Sequence, residues 1–257
     1  MSAQSGCGIA IMAKASIAGR AKTRLVPPLT FAEAAEFNTA FLKDVAANIA
    51  AAGCEVPIRG YAAYGPPETA GFFTSTLTSS VGLIEAWHPN FGDCLFTAIQ
   101  VLFDRRHSAA VVLNSDSPTL PTSLLVEAAQ SLAPPGDRAV LGPSRDGGYY
   151  LLGLKAPHRR LFEDVAWSTE RVATQTRARA AEIGLPVHIL PEWYDVDDAQ
   201  SLHLLRAELD GTAVVDPNLR PHAAVHSGAL MRRLLAHSDL EARLEAACAP
   251  VLQRAAQ

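Results

Sequence analysis

The chain of 257 residues is long enough for one large α/β domain, or for one domain with an appendage. Hydrophobic residues make up 49% and charged residues 19%, a globular balance that excludes disordered and fibrous classes. The net charge of −4 offers no electrostatic attraction to nucleic acid or to an anionic membrane surface.

No apolar run approaches the ~18–20 residues that span a bilayer. The opening Met1-Ser-Ala-Gln-Ser-Gly lacks the charged and apolar regions of a secretory signal. Four scattered cysteines form no Cys-x-x-Cys pair, which argues against a zinc site or a disulfide framework. The expectation is a soluble cytoplasmic protein with reduced thiols.

In chain order, Gly8 to Ala13 reads as a buried strand. It runs into a loop, Lys14 to Arg24, that holds Lys14, Arg20, Lys22 and Arg24 and no acid. A basic loop after the first strand is where an α/β nucleotide site places its phosphate contacts, although a solvated surface loop has the same composition. The Walker-type glycine spacing is absent, so this is not an ordinary P-loop. Thr30 to Ala52 is a helix, because Thr30 and Glu33 form a capping box and alanine-rich 3.6-residue patterning follows.

Residues 54–64 read as a second strand, Gly65-Pro66-Pro67 as a turn, and 74–80 as too polar to assign. Val81 to Trp87 is a short strand, followed by a loop to Asp93 and an amphipathic helix from Leu95 to Arg106.

Ala109 to Leu113 is the central buried strand. It ends in Asn114-Ser115-Asp116-Ser117-Pro118, where the proline turns the chain. A carboxylate at the carboxyl edge of an open sheet suits a Mg²⁺ that also touches phosphate. Asp116 is equally suited to cap the helix that starts near Pro121.

Leu124 to Leu132 reads as helix, and Ala139 to Pro143 and Tyr149 to Leu154 read as strands around the turn Asp146-Gly147-Gly148. Those glycines form a tight hairpin and also permit close approach of a ligand. Ser168 and Thr169 are the expected cap of a helix running to Gly184, and Pro186 to Leu190 is a strand. Asp195, Asp197 and Asp198 sit where a strand hands over to a helix at Ala199–Leu209, a place where acids also serve the helix dipole.

Alternating strands and helices predict a three-layer αβα domain around a mostly parallel twisted sheet, over residues 1–209. Residues 210–257 read as a linker and a helical C-terminal extension, packing on the core or on a second copy in a homodimer. His222 and His226 have the spacing of a helical metal pair but no third ligand, so a structural role is expected.

Five segments in order resemble a bacterial glycosyltransferase A-like family of the nucleotide-diphospho-sugar transferase superfamily, whose relatives include phospholactate and molybdopterin guanylyltransferases. They are Ala13-Lys14…Gly19-Arg20-Ala21-Lys22-Thr23-Arg24-Leu25, Ser115 to Leu120, Gly142-Pro143…Asp146 to Leu154, Trp167-Ser168-Thr169, and Trp193 to Asp197. They span about residues 8–206. Ser16 and Ala18 stand at two family prolines, Asn114 at a glycine, and Cys94 at an arginine.

The resemblance implies a glycosyltransferase-A, Rossmann-like fold and a Mg²⁺- or Mn²⁺-dependent nucleotidyltransferase. Such an enzyme moves a nucleoside monophosphate from a nucleoside triphosphate to a small phosphorylated or acidic acceptor. A glycosyltransferase with a nucleotide-sugar donor and a non-catalytic nucleotide-binding module are the alternatives. By resemblance, Lys22, Arg24 and Asp116 are catalytic, and Ala13, Lys14, Gly19, Lys22, Arg24 and Ser115 bind nucleotide. Asp146, Gly147, Gly148, Tyr149, Tyr150, Trp167, Ser168 and Thr169 line the acceptor site. Asp116, Asp195 and Asp197 hold the metal.

Overall fold

The computed structural model describes residues 5–255. Its strands are β1 (Ser5–Ala13), β2 (Ile58–Tyr64), β3 (Gly82–Glu85), β4 (His107–Asn114), β5 (Ala139–Pro143), β6 (Tyr149–Leu154) and β7 (Val187–Ile189). They form one sheet in the order β3-β2-β1-β4-β6-β5-β7. All neighbours are parallel except β6, which runs antiparallel to both β4 and β5.

The helices are α1 (Phe31–Ala52), α2 (Ala70–Thr76), α3 (Phe91–Asp104), α4 (Thr122–Leu132), α5 (Val172–Glu182), α6 (Ala199–Leu209), α7 (Val225–His237) and α8 (Leu240–Ala255). Alternation along the central strands makes the layers. Ile9 and Ile11 of β1 and Val111 and Leu113 of β4 join the core under α1, α4, α6, α7 and α8. Ala10, Ala110 and Val112 face the other way, into the core under α3 and α5. The expected three-layer α/β architecture with a mostly parallel sheet is what forms.

The order of the sheet positions the site. The chain builds β1, β2 and β3 outward and then returns to place β4 on the free side of β1. That reversal opens a crevice beyond the carboxyl ends of β1 and β4. The register pairs Met12 with Asn114, so the basic loop and Asp116 leave the sheet side by side.

The capping box at Thr30 and Glu33 forms as expected, and α6 carries its own box on Asp198 and Ser201. Four differences from the sequence reading have a local physical cause. Strand β2 starts at Ile58, because residues 54–56 complete the turn after α1, with Val56 N–H donating to Ala52 O (3.1 Å). Helix α2 forms in a stretch overlapping the unassigned one, where Phe73 packs on Tyr64 with ring centroids 5.3 Å apart. Helix α3 starts at Phe91 rather than Leu95, because the Asn90 side chain accepts from Gly92 N–H (2.7 Å).

The fourth difference is at α5, whose cap position is Arg171. Ser168 has a left-handed φ of 64°, and the Thr169 hydroxyl donates to Ala166 O (2.7 Å). Both residues therefore belong to the preceding loop.

The extension lies on the main layer. Asp44 of α1, 1% exposed, accepts from the backbone N–H groups of His226 (2.9 Å) and Ser227 (2.8 Å) at the start of α7. Leu240 and Leu244 of α8 share a core with Leu25 and Leu29. Arg243 of α8 pairs with both oxygens of Glu33 at 2.9 Å. His222 precedes α7, so the helical pair with His226 is not formed.

Candidate functional site

Beyond the carboxyl ends of β1 and β4 lies a cavity of about 920 Å³. Of the residues expected in the site, Lys14, Lys22, Arg24, Ser115, Asp116, Asp146, Gly148, Tyr149, Tyr150, Trp167, Ser168, Thr169, Asp195 and Asp197 line it. Ala13, Gly19 and Gly147 do not. Ala13 ends β1 in the core. Gly147 has φ +86°, and a Cβ there would lie 2.1 Å from Glu170 O, so its role is to let the β5–β6 turn pass the following loop.

The centre of the site is one ammonium group. Lys22 Nζ lies 2.9 Å from Asp116 Oδ1 and 2.7 Å from Asp197 Oδ1, and it donates to Val196 O at 2.9 Å. Arg24 closes the row on Asp197 Oδ2. The Lys22 side chain is 6% exposed, against 28% for Asp116 and 25% for Asp197.

Residues far apart in sequence meet here through the backbone. Val196 N–H donates to Asp116 O (2.8 Å), which lays Asp195-Val196-Asp197 across the end of β4. Lys22 itself adopts a left-handed φ of 53° and lies 5.5 Å from the centre of the Phe41 ring of α1. A non-glycine residue held there costs on the order of 1–2 kcal/mol, which the surrounding contacts offset.

Burial alone would depress the Lys22 pKa, but the charges of Asp116 and Asp197 and their hydrogen bonds outweigh it and hold it above its ordinary value. Burial pushes Asp197 upward, and Lys22 and Arg24 overcome that push and hold it below the usual carboxylate value. Asp195 makes no ion pair among the described residues. Burial, then the charges of Asp146, Asp197 and Asp116, pushes it up to about 7.

Ser115 donates to Asp116 Oδ1 (2.8 Å). Helix α4 begins at Thr122 with no side-chain cap, so Asp116 is not its cap.

Along the rim, the exposed side chains of Lys14 and Arg20 line the cavity with no ion pair among the described residues. Their loop is tied down. Asn38 of α1 donates to Lys14 O and to Ser16 Oγ, each at 2.9 Å, and Thr39 donates to Ser16 Oγ at 2.7 Å. Ser16 is thus fixed by hydrogen bonds.

The opposite wall is aromatic. Trp167 stands edge-on to Phe91 (5.5 Å, 84°) and to Tyr149 (6.5 Å, 81°). Tyr150 lines the cavity but is 1% exposed, its ring packed in the core and its hydroxyl donating to Pro191 O (2.9 Å). Phe91, Arg20, Asn38 and Asn114 line the cavity without having been expected there. Arg20 was visible as a fourth cation of the basic loop. Phe91 and Asn38 enter only through the packing of α3 and α1.

The donor set suits a hard divalent cation, which takes one or two carboxylates together with phosphate oxygens and water. Asp116 and Asp197 are the residues that fit. They do not form a ready-made cage with Asp195, since no group of three or more His, Cys, Asp or Glu gathers for a metal among the described residues. Lys22 occupies the position between the two carboxylates.

Residues 49–169 match the family model described as "Uncharacterized protein conserved in bacteria (DUF2064)". No curated protein matches the sequence. Among solved structures, the chain is similar to a candidate nucleotide-diphospho-sugar transferase from Desulfovibrio desulfuricans G20, with TM-score 0.75 and 24% identity over 90% of this chain and 95% of that one. It is also similar to a cytidylyltransferase from Leptospira borgpetersenii serovar Hardjo-bovis, with TM-score 0.51 and 10% identity over 91% and 96%. The chain therefore has the fold of the nucleotide-diphospho-sugar transferases, the superfamily its five sequence segments resemble.

Proposed function

We propose that this chain is a nucleotidyltransferase that moves a nucleoside monophosphate from a nucleoside triphosphate to a small phosphorylated or acidic acceptor, releasing pyrophosphate. The observation that carries the reading is the buried Lys22 ammonium held between Asp116 and Asp197, with Lys14 and Arg20 on the rim of the same cavity and without an ion pair among the described residues. Lys22 and Arg24 offset the charges of Asp116 and Asp197, so Lys14 and Arg20 are left to face a polyanion. The similar solved structures, a cytidylyltransferase among them, support the same class.

The chemistry follows from charge and position. An acceptor oxygen bonds to the α-phosphorus while the bond to the bridging oxygen breaks, and that electron pair leaves with pyrophosphate. A phosphate or carboxylate acceptor needs no proton removed. The protein supplies alignment and fixed charge rather than a covalent intermediate. Lys14 and Arg20 bind the outer phosphates, Lys22 holds the two carboxylates in place, and the aromatic wall encloses the other end of the ligand. Asp116 and Asp197 would hold a Mg²⁺ or Mn²⁺, which neutralises charge on the reacting phosphates.

A glycosyltransferase using a nucleotide sugar is the second reading. It is favoured by the Asp-x-Asp spacing of Asp195 and Asp197 at the site. Pyrophosphate release separates the two, because glycosyl transfer from a nucleotide sugar releases none. Calorimetry with the four nucleoside triphosphates, with and without Mg²⁺, tests the carboxylate assignment. Asp116→Asn is expected to abolish the metal-dependent part of nucleotide affinity, and an unchanged titration would sink the metal role.

A further inference from the structure

We propose that Arg59 and Arg105, resting on the Tyr61 ring, form a second anion site for the dianionic phosphate of a small ligand. It lies at the opposite end of the sheet from the cavity described above. Strands β1, β2 and β4 run parallel, so their first residues share one side of the molecule. There they enclose a hollow of about 230 Å³. That is below the ~300–1,000 Å³ of drug-sized pockets, which limits a guest to a small one.

The charge of the hollow is one-sided. Its described lining residues include two guanidinium groups and no carboxylate. Arg105 Cζ lies 4.9 Å and Arg59 Cζ 5.8 Å from the centre of the same Tyr61 ring. Neither arginine forms an ion pair among the described residues. Arg105 donates from Nη2 to Leu83 O (2.9 Å), and its fork keeps further donors. One guanidinium already satisfies the attraction between a cation and a ring face. The second gathers like charges at one place, and no lining group offsets them.

The floor under the arginines is fixed. Tyr61 is 3% exposed, and its hydroxyl meets His107 Nε2 at 2.8 Å. His107 Nδ1 in turn donates to Gly6 O (3.2 Å). Two glycines make room for these rings. A Cβ at Gly82 would lie 2.5 Å from Tyr61 Cδ1, and one at Gly8 would lie 2.7 Å from His107 Cδ2. The ring that carries both arginines therefore has one position, which lowers the cost of organising them around a ligand.

Charge and shape select the ligand class. A phosphate dianion matches two guanidiniums in charge, and each planar fork can pair two of its oxygens. A carboxylate brings one charge and two oxygens, which leaves the second fork unmet.

Amide NMR titration of the full chain at low salt and pH 8 tests the site, with inorganic phosphate, glycerol 3-phosphate and acetate as probes. Saturable phosphate shifts are expected at Cys7, Ile58 and Arg59. They should persist in the Lys14→Ala/Arg20→Ala double variant, which disables phosphate binding at the other end of the sheet. Arg59→Gln and Arg105→Gln, both at exposed positions, should each weaken phosphate at least about tenfold, the size of one lost charge-assisted contact. Tighter binding of glycerol 3-phosphate than of phosphate assigns the site to a phosphomonoester, and equal binding assigns it to free phosphate. The proposal is overturned by the absence of saturable shifts at these amides or by their loss in the Lys14→Ala/Arg20→Ala variant. Unchanged affinity in both arginine variants, or acetate binding as tightly as phosphate, would overturn it equally.

Discussion

Lys22 is a buried cation whose environment explains its charge state. Replacing it with methionine keeps much of the volume and removes the charge, leaving Asp116 and Asp197 to repel each other across the gap. Lys22→Met is expected to lower turnover by about 10²–10³, the usual cost of losing one preorganised charge contact in a reacting site. Steady-state kinetics beside circular dichroism will check this, and unchanged kcat/KM in a folded variant would refute it.

Asp195 behaves in the opposite way, being pushed up to about 7 from an ordinary 3.8. Between about pH 4 and 7 the unfolded chain has released this proton while the folded chain retains it. Stability therefore falls as pH rises through that window. Asp195→Asn should raise Tm more at pH 8 than at pH 4. Calorimetric melts with the same difference at both pH values would contradict it.

Among the elements, the β5–β6 hairpin shows how a loop and a helix share a constraint. Gly147 takes φ +86° beneath Glu170, and its carbonyl accepts from Ala173 N–H (3.0 Å) near the start of α5. Gly147→Ala adds left-handed strain of about 1–2 kcal/mol and a clash with backbone that has no flexible end to move. A loss of at least about 2 kcal/mol in urea unfolding is expected, and a neutral result would mean that the hairpin and loop separate freely.

Elements also show where sequence reading succeeds. The Thr30 box and the Asp198 cap sit next to what they cap, so local chemistry decides them. Helix α2 has little local signal and exists because Phe73 finds Tyr64 and the core.

At the scale of the molecule, α7 and α8 belong to the same core as the sheet. The attachment is focused on Asp44, which accepts from the start of α7 although it is 1% exposed. Asp44→Ala leaves two backbone donors unmet in a buried place. A destabilisation of about 2–3 kcal/mol is expected from lost capping and unpaired groups. If the extension were a loosely tethered appendage, chemical denaturation would show no change. Because α8 touches Glu33 beside the basic loop and α6 behind Asp197, this variant also tests whether the extension supports the site.

Most of the architecture is legible from short-range pattern alone. Short apolar runs that make buried strands, period-3.6 helices and their caps are encoded within a few residues of where they act, and their alternation leads to the layered sheet. The basic loop and Asp116 were legible too, because a strand end followed by a charged loop is a local signal. The partnership between Lys22, Asp116 and Asp197 was not. Residues 22 and 197 meet only because Val196 bonds across the end of β4, and no local spacing encodes a contact over 175 residues. The same holds for the Phe91–Trp167–Tyr149 wall, which three separate elements bring together. Local sequence sets which groups are available, and the strand order decides which of them share a cavity.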